Sequence, residues 1–176
     1  MIEAIQQTNY LLALGGILLF VSTLLVLFDL RTAKKLKPLI QTWGLLIAFL
    51  FTIASIILTL IYSEVFGIIP CGLCWVERIA LYPQAAILGV SLWYKDALVA
   101  RYGIALSTFG LVVALYHHYI QMGGAQFIKC PAAGAGADCA KRFLFEFDFV
   151  TFPLLAAGLF LFQIVVYLYI LKTHSK

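Results

Sequence analysis

Residues 43–62 read WGLLIAFLFTIASIILTLIY, a run of twenty residues without a formal charge. A helix crosses a ~30 Å hydrocarbon layer in about 20 apolar residues, so this run predicts a transmembrane helix. Four further stretches predict the same: Tyr10 to Leu30, Trp75 to Tyr94, Tyr102 to Ile120 and Phe149 to Leu171. Only Trp75 to Tyr94 carries formal charges well inside, at Glu77 and Arg78. Of 176 residues, 64% are hydrophobic and 11% charged, against roughly 25% charged in an ordinary soluble domain. The fold class is therefore all-α, a polytopic membrane helix bundle. No segment is left over for a soluble domain, so a large aqueous partner must be a separate protein. No internal repeat is visible.

The first span differs from a secretory signal. Glu3 is the only charge before it, its apolar core has full membrane length, and the basic residues follow rather than precede it. It reads as a retained helix. Short cytoplasmic loops are enriched in Lys and Arg, and most of the basic residues fall at Arg31, Lys34, Lys35 and Lys37, at Lys95 and Arg101, and at Lys172 and Lys176, with only Lys129, Lys141 and Arg142 in the other connections. Alternation then puts the N-terminus outside, the C-terminus in the cytoplasm, and the Ser63 to Pro70 and Gln121 to Asp148 connections outside. The net charge of +4 is accounted for by these topology anchors and calls for no nucleic acid.

Four cysteines form two pairs, Cys71 and Cys74 in CGLC and Cys130 and Cys139 around PAAGAGAD. Both pairs fall on the outer face, where an even cysteine count usually means disulfides. Two structural staples are the plain reading. They explain CGLC poorly, because so small a loop constrains the unfolded chain little, and the outer loop would gain roughly 2 to 3 kcal/mol at most. An exposed disulfide in an Ala/Gly loop suits exchange better. A membrane scaffold binding zinc through four sulfurs is the non-enzymatic alternative. It is weakened by the absence of a second CxxC.

Pro70 suits the approach to a helix start, where free N–H groups and the positive dipole end favour thiolate at CGLC. At 100° per residue Cys71, Cys74, Arg78 and Tyr82 share an arc of about 80°. Arg78 therefore lies one turn below Cys74, placed to stabilise a thiolate or bond a cofactor carbonyl, or else to snorkel outward or pair with Glu77. His117 and His118 lie at the same depth, for proton relay or as interfacial residues. The run FLFEFDFVTF from Phe143 reads as an interfacial aromatic belt in preference to a docking strip. Pro153 falls in the first turn of the last span, where proline is tolerated.

The string CGLCWVERIALYP, followed by YHHY and a later cysteine pair, resembles the DsbB family of quinone-linked disulfide oxidases. The resemblance runs from about Trp43 to Leu171. It implies a DsbB-like four-helix core at 43–176, with 1–42 adding one N-terminal transmembrane helix and a basic cytoplasmic loop. It further implies a bacterial cytoplasmic-membrane enzyme that reoxidises a DsbA-like thioredoxin-fold protein and passes two electrons to a membrane quinone, ubiquinone or menaquinone, in support of protein disulfide formation. By motif position, Cys130 would form the mixed disulfide with the partner and Cys139 would resolve it. Cys71 and Cys74 would take the electrons inward, with Cys74, Arg78 and His118 at the quinone. Two departures stand out: the added first helix, and outer cysteines closer together than in the best-known members. The vitamin K epoxide reductase family uses similar chemistry, but its loop cysteines precede CxxC.

The five-span topology predicts that reporter tags at residues 2 and 135 label from outside and a tag at residue 98 from the cytoplasm. A cytoplasmic residue 2 would reduce the chain to four spans.

Overall fold

The computed structural model describes residues 2–32, 35–130 and 138–174. Lys34, Lys176 and the tag position 135 lie outside them, as does most of the Ala/Gly loop. Five helices make up the bundle: α1 Ile2–Arg31, α2 Lys37–Leu60, α3 Gly72–Tyr94, α4 Ala100–Gln121 and α5 Phe152–His174. Helices α1, α3 and α4 each contain one expected span, whereas α2 ends at Leu60, short of Tyr62, and α5 begins at Phe152, after Phe149. Four of them, with their flanking turns, are long and apolar enough to cross a membrane, as a multi-pass membrane protein requires. The remaining helix, α3, is 23 residues long, roughly 34 Å at 1.5 Å per residue. Its apolarity is diluted by Glu77, Arg78 and Gln84, and both Arg78 and Gln84 are buried against neighbouring helices.

Local sequence explains the breaks. Pro38 sits in the first turn of α2, where its missing N–H costs nothing. The far end of α2 loosens into a π-turn over Ile61–Val65, and Gly67 then takes a left-handed φ of 68° that turns the chain toward Pro70. A 3₁₀ turn at Ala97–Val99 joins α3 to α4, capped by the Asp96 carboxylate accepting from Leu98 N–H at 2.8 Å. FLFEFDFVTF closes into a two-stranded hairpin instead of a simple belt. Phe145 pairs with Thr151 and Glu146 with Val150, and Phe147 and Asp148 both adopt positive φ at the tip. Two left-handed tip residues match the twist of paired strands. The alternation buries Leu144 and Val150 and leaves Phe145, Phe147 and Phe149 exposed. Pro153 does fall in the first turn of α5.

Hydrophobicity cannot drive helices together in lipid, so close packing and buried polar contacts take its place. Along α4, Ala100, Gly103, Ser107, Gly110 and Ala114 form a small-residue face against α5. The Tyr167 ring occupies the space a Cβ on Gly103 would need, and the Phe160 ring does so at Gly110. Beside this seam runs a polar network through four helices. Gln163 Nε2 donates to Thr52 Oγ1 at 2.8 Å, Ser107 Oγ lies 3.1 Å from Gln163 Oε1 and 3.2 Å from Gln84 Oε1, and Tyr167 OH donates to Gln84 Oε1 at 3.0 Å. The Gln84 to Ser107 contact and a Glu77 to His117 contact nearer the cysteines fix α3 and α4 as antiparallel neighbours.

Helix α1 packs mainly on α5 and is clamped at both ends. Near its start, Asn9 Nδ2 donates to Phe143 O at 3.0 Å, and Tyr62 OH donates to Asn9 Oδ1 at 2.6 Å. Near its finish, the Asp29 carboxylate accepts from Lys35 N–H, Leu36 N–H and Tyr169 OH, at 2.9, 3.0 and 2.7 Å. Substitution of Gly110 by leucine should therefore lower the unfolding free energy by about 1–3 kcal/mol through overpacking against Phe160. Gly158→Ala, at a site with open space, should leave it unchanged or slightly raised. Denaturant unfolding in mixed micelles measures both.

Candidate functional site

Cys71 caps α3. Its backbone is extended, with φ −73° and ψ 170°, and its sulfur accepts the Cys74 backbone N–H at 3.2 Å. Capping leaves Cys74 on the first turn of α3, its sulfur 2.7 Å from that of Cys71. The two are free cysteines, whereas Cys130 and Cys139 are joined by a disulfide. All four belong to one packed cluster with Leu73 and Ile120. The outer disulfide was expected to be exposed. Only Cys130 is half-open, while Cys139 is 0% exposed, because Leu73 and Ile120 pack over it alongside the inner pair.

His117 joins the two pairs. It is 1% exposed, and its Nε2 lies 3.5 Å from Cys71 Sγ and 3.2 Å from the Cys139 carbonyl. Its Nδ1 meets Glu77 Oε1 at 2.8 Å. A carboxylate on one ring nitrogen fixes which face of the imidazole is turned to the sulfur. Glu77 thus pairs with His117 and not with Arg78. His118 is turned elsewhere. One residue further along the helix is a rotation of about 100°, which carries His118 off this face, and its Nδ1 bonds Thr151 Oγ1 at 2.8 Å.

Arg78 is buried and does not snorkel. Its Nη2 donates to the Thr59 carbonyl at 2.8 Å, and the guanidinium lies 5.1 Å from the Trp75 ring centroid. Tyr82, the last member of the stripe, meets Thr59 Oγ1 at 3.0 Å. The stripe therefore faces α2 just before its π-turn, a backbone irregularity common at functional sites.

Cys71, Cys74, Glu77, Arg78, His117 and Gln121 line the polar end of a cavity of about 380 Å³, within the usual range for small-molecule sites. Gln121, which the sequence did not single out, is 7% exposed. Its Nε2 donates to the Lys141 carbonyl at 3.1 Å, and among the described residues its Oε1 is the one buried side-chain polar atom without a hydrogen-bond partner. An orphaned acceptor beside the Arg78 and His117 donors fits a headgroup that carries carbonyls in one redox state and hydroxyls in the other. The four-sulfur zinc site does not form, since Cys130 and Cys139 bond each other. Cys71, Cys74 and His117 bring donor atoms within 4.8 Å of one another, one ligand short of a closed tetrahedral site.

The family model described as "Disulfide bond formation protein DsbB" matches residues 41–169. Helix α1 lies wholly outside that match. Among curated proteins, the chain is 32% identical over 132 residues to a "Probable disulfide formation protein C 2" of Bacillus anthracis, covering 75% of this chain and 92% of that one. It is 35% identical over 126 residues to a "Probable disulfide formation protein C" of Bacillus cereus, covering 72% and 86%. It is 30% identical over 118 residues to "Disulfide bond formation protein C" of Bacillus subtilis, covering 67% and 84%. No solved structure matches.

The hydrogen bond from Cys74, helped by His117, outweighs burial and lowers the Cys71 thiol to about 5. A lowered value means that thiolate persists as the pH falls, until the solution passes below it. In the fully reduced protein, Cys71 alkylation by iodoacetamide should stay near its plateau at neutral pH and fall off around pH 5. A free thiol, with its pKa near ~8.5, is already mostly protonated at neutral pH. Cys74→Ala should move the midpoint upward, as read by mass spectrometry of the labelled peptide.

Proposed function

The chain belongs to the DsbB family of disulfide bond formation proteins, and we propose that this thiol oxidoreductase reoxidises a DsbA-like thioredoxin-fold partner outside the cytoplasm and delivers two electrons to a membrane quinone. The observation that carries the reading is the single cluster of four cysteines, with His117 touching both pairs.

A partner thiolate attacks Cys130, the half-open sulfur, breaking its bond to Cys139, which leaves as thiolate. The partner's second thiolate then displaces Cys130 from the mixed disulfide, so the partner gains a disulfide and the outer pair holds two thiols. Cys139, packed against the inner pair, next attacks a Cys71 to Cys74 disulfide, and Cys130 closes back on Cys139. Two electrons have moved inward.

Oxidation of the inner dithiol releases two electrons and two protons. A bound quinone would supply the acceptor for both. Arg78, Gln121 and His117 are the groups on hand to hold its headgroup, with Cys74 beside them. His117 stands 3.5 Å from Cys71 Sγ to take its proton, oriented by Glu77. In this reading the cysteine end of the bundle faces outward, and residues 43–176 form the oxidase core to which α1 is added.

Cys139→Ala leaves Cys130 a lone thiol that can attack the disulfide of an oxidised thioredoxin-fold partner, and with no Cys139 thiolate to displace that partner a Cys130 mixed disulfide should accumulate on non-reducing gels. Cys71→Ala should instead stop quinol formation without trapping the partner at Cys130. Normal turnover in Cys139→Ala together with partner trapping in Cys71→Ala would reverse the proposed electron path.

A further inference from the structure

The cavity beside the cysteines has a second, apolar end, and one of its walls is α1. Leu12, Gly15, Gly16 and Leu19 line it from α1, opposite Phe51 and Leu58 of α2 and Leu155 and Leu159 of α5. These α1 positions recur at three- and four-residue spacing, one face of a helix. Leu11 lines the rim of this wall, while the rest of α1 looks outward: Leu18 and Leu25 are 70% and 62% exposed.

Gly15 and Gly16 divide the labour on that face. A Cβ on Gly16 would run into the Leu155 side chain, so this glycine sets how closely α1 approaches α5. Gly15 is exposed, and a Cβ there would meet nothing within 4 Å. It lines the cavity from α1, and Ala54, which is also exposed, lines it from α2. Helix α1 packs mainly on α5 and the hairpin, so these exposed lining positions stand on the side of the cavity away from that packing.

The geometry points to α1 as the wall and lipid-side portal for the apolar tail of a polyprenyl quinone, the headgroup lying among Arg78, His117 and Gln121. This rests on the quinone reading above and adds to it a role for the helix outside the family match. A polar pocket end and an apolar trough are what a ligand with a polar ring and a long isoprenoid chain requires. A water-borne oxidant would need none of the trough.

The test measures binding, not turnover. Full-length protein in lipid nanodiscs is incubated with a decyl-tailed benzoquinone or with the same ring lacking the tail, and bound quinone is quantified by extraction and chromatography. Gly15→Phe places a ring at that exposed lining position. It should weaken binding of the decyl quinone about tenfold, the equivalent of about two CH₂ groups lost from burial, and leave the tail-less ring unchanged. Leu11→Trp, one turn away on the same wall, should act in the same direction. An unchanged unfolding midpoint in either variant shows that the fold is intact. Equal loss of both quinones, or no loss of either in both variants, overturns the role of α1 while the quinone reading stands. Failure of the wild type to bind either quinone or to form quinol overturns the quinone reading and this inference with it.

Discussion

Everything at the cysteine end depends on the hydrogen-bonded crossing of α3 and α4. Gln84 meets Ser107 deep in the bundle, and Glu77 meets His117 nearer the sulfurs. Two such contacts on one pair of antiparallel helices determine both rotation and register. Slip by a residue would turn His117 away from Cys71 and leave several buried polar groups without partners, each costing about 1–3 kcal/mol. In lipid there is no hydrophobic gain to offset that loss. The α4 and α5 seam supplies the complementary constraint, since Gly103 and Gly110 let the rings of Tyr167 and Phe160 close down.

The helices were legible because length and charge-free composition alone define a span, and all five stretches reappear as helices, although α1 begins at Ile2 instead of Tyr10 and α2 at Lys37 instead of Trp43. The Cys71, Cys74, Arg78 and Tyr82 stripe was legible for a similar reason, as helical geometry fixes relative angles within one helix. What a single helix cannot reveal is its rotation against its neighbours. Residues 117 and 118 are both histidine, and only the seating of α4 selects the first. The same gap hid the Glu77 pairing, the burial of Cys139 and the placement of Gln121 at the cavity, each of which depends on a partner distant in sequence.

The hairpin was missed for a different reason. FLFEFDFVTF lacks the Asn-Gly or Asp-Gly pair that usually announces a two-residue turn, and Phe147 and Asp148 carry positive φ without glycine's freedom. Tertiary contacts hold it there: Leu144 and Val150 pack on Ala13 of α1, and Phe147 lies 5.8 Å from the Tyr10 ring. The alternation of aromatic and acidic residues suits a membrane interface and a strand equally, and the strand wins where α1 offers it a surface.

Helix α1 is mechanically a strut pinned at each end, by Asn9 to the loop at Phe143 and by Asp29 to α5 and the following turn. Between the pins lie adjacent glycines, each costing a helix interior roughly 1 kcal/mol relative to alanine. Stiffness is therefore lowest at mid-span, where α1 lines the apolar end of the cavity. A strut with fixed ends and a compliant centre bows before it detaches, so α1 can yield sideways while Asn9 and Asp29 keep both of its anchorages.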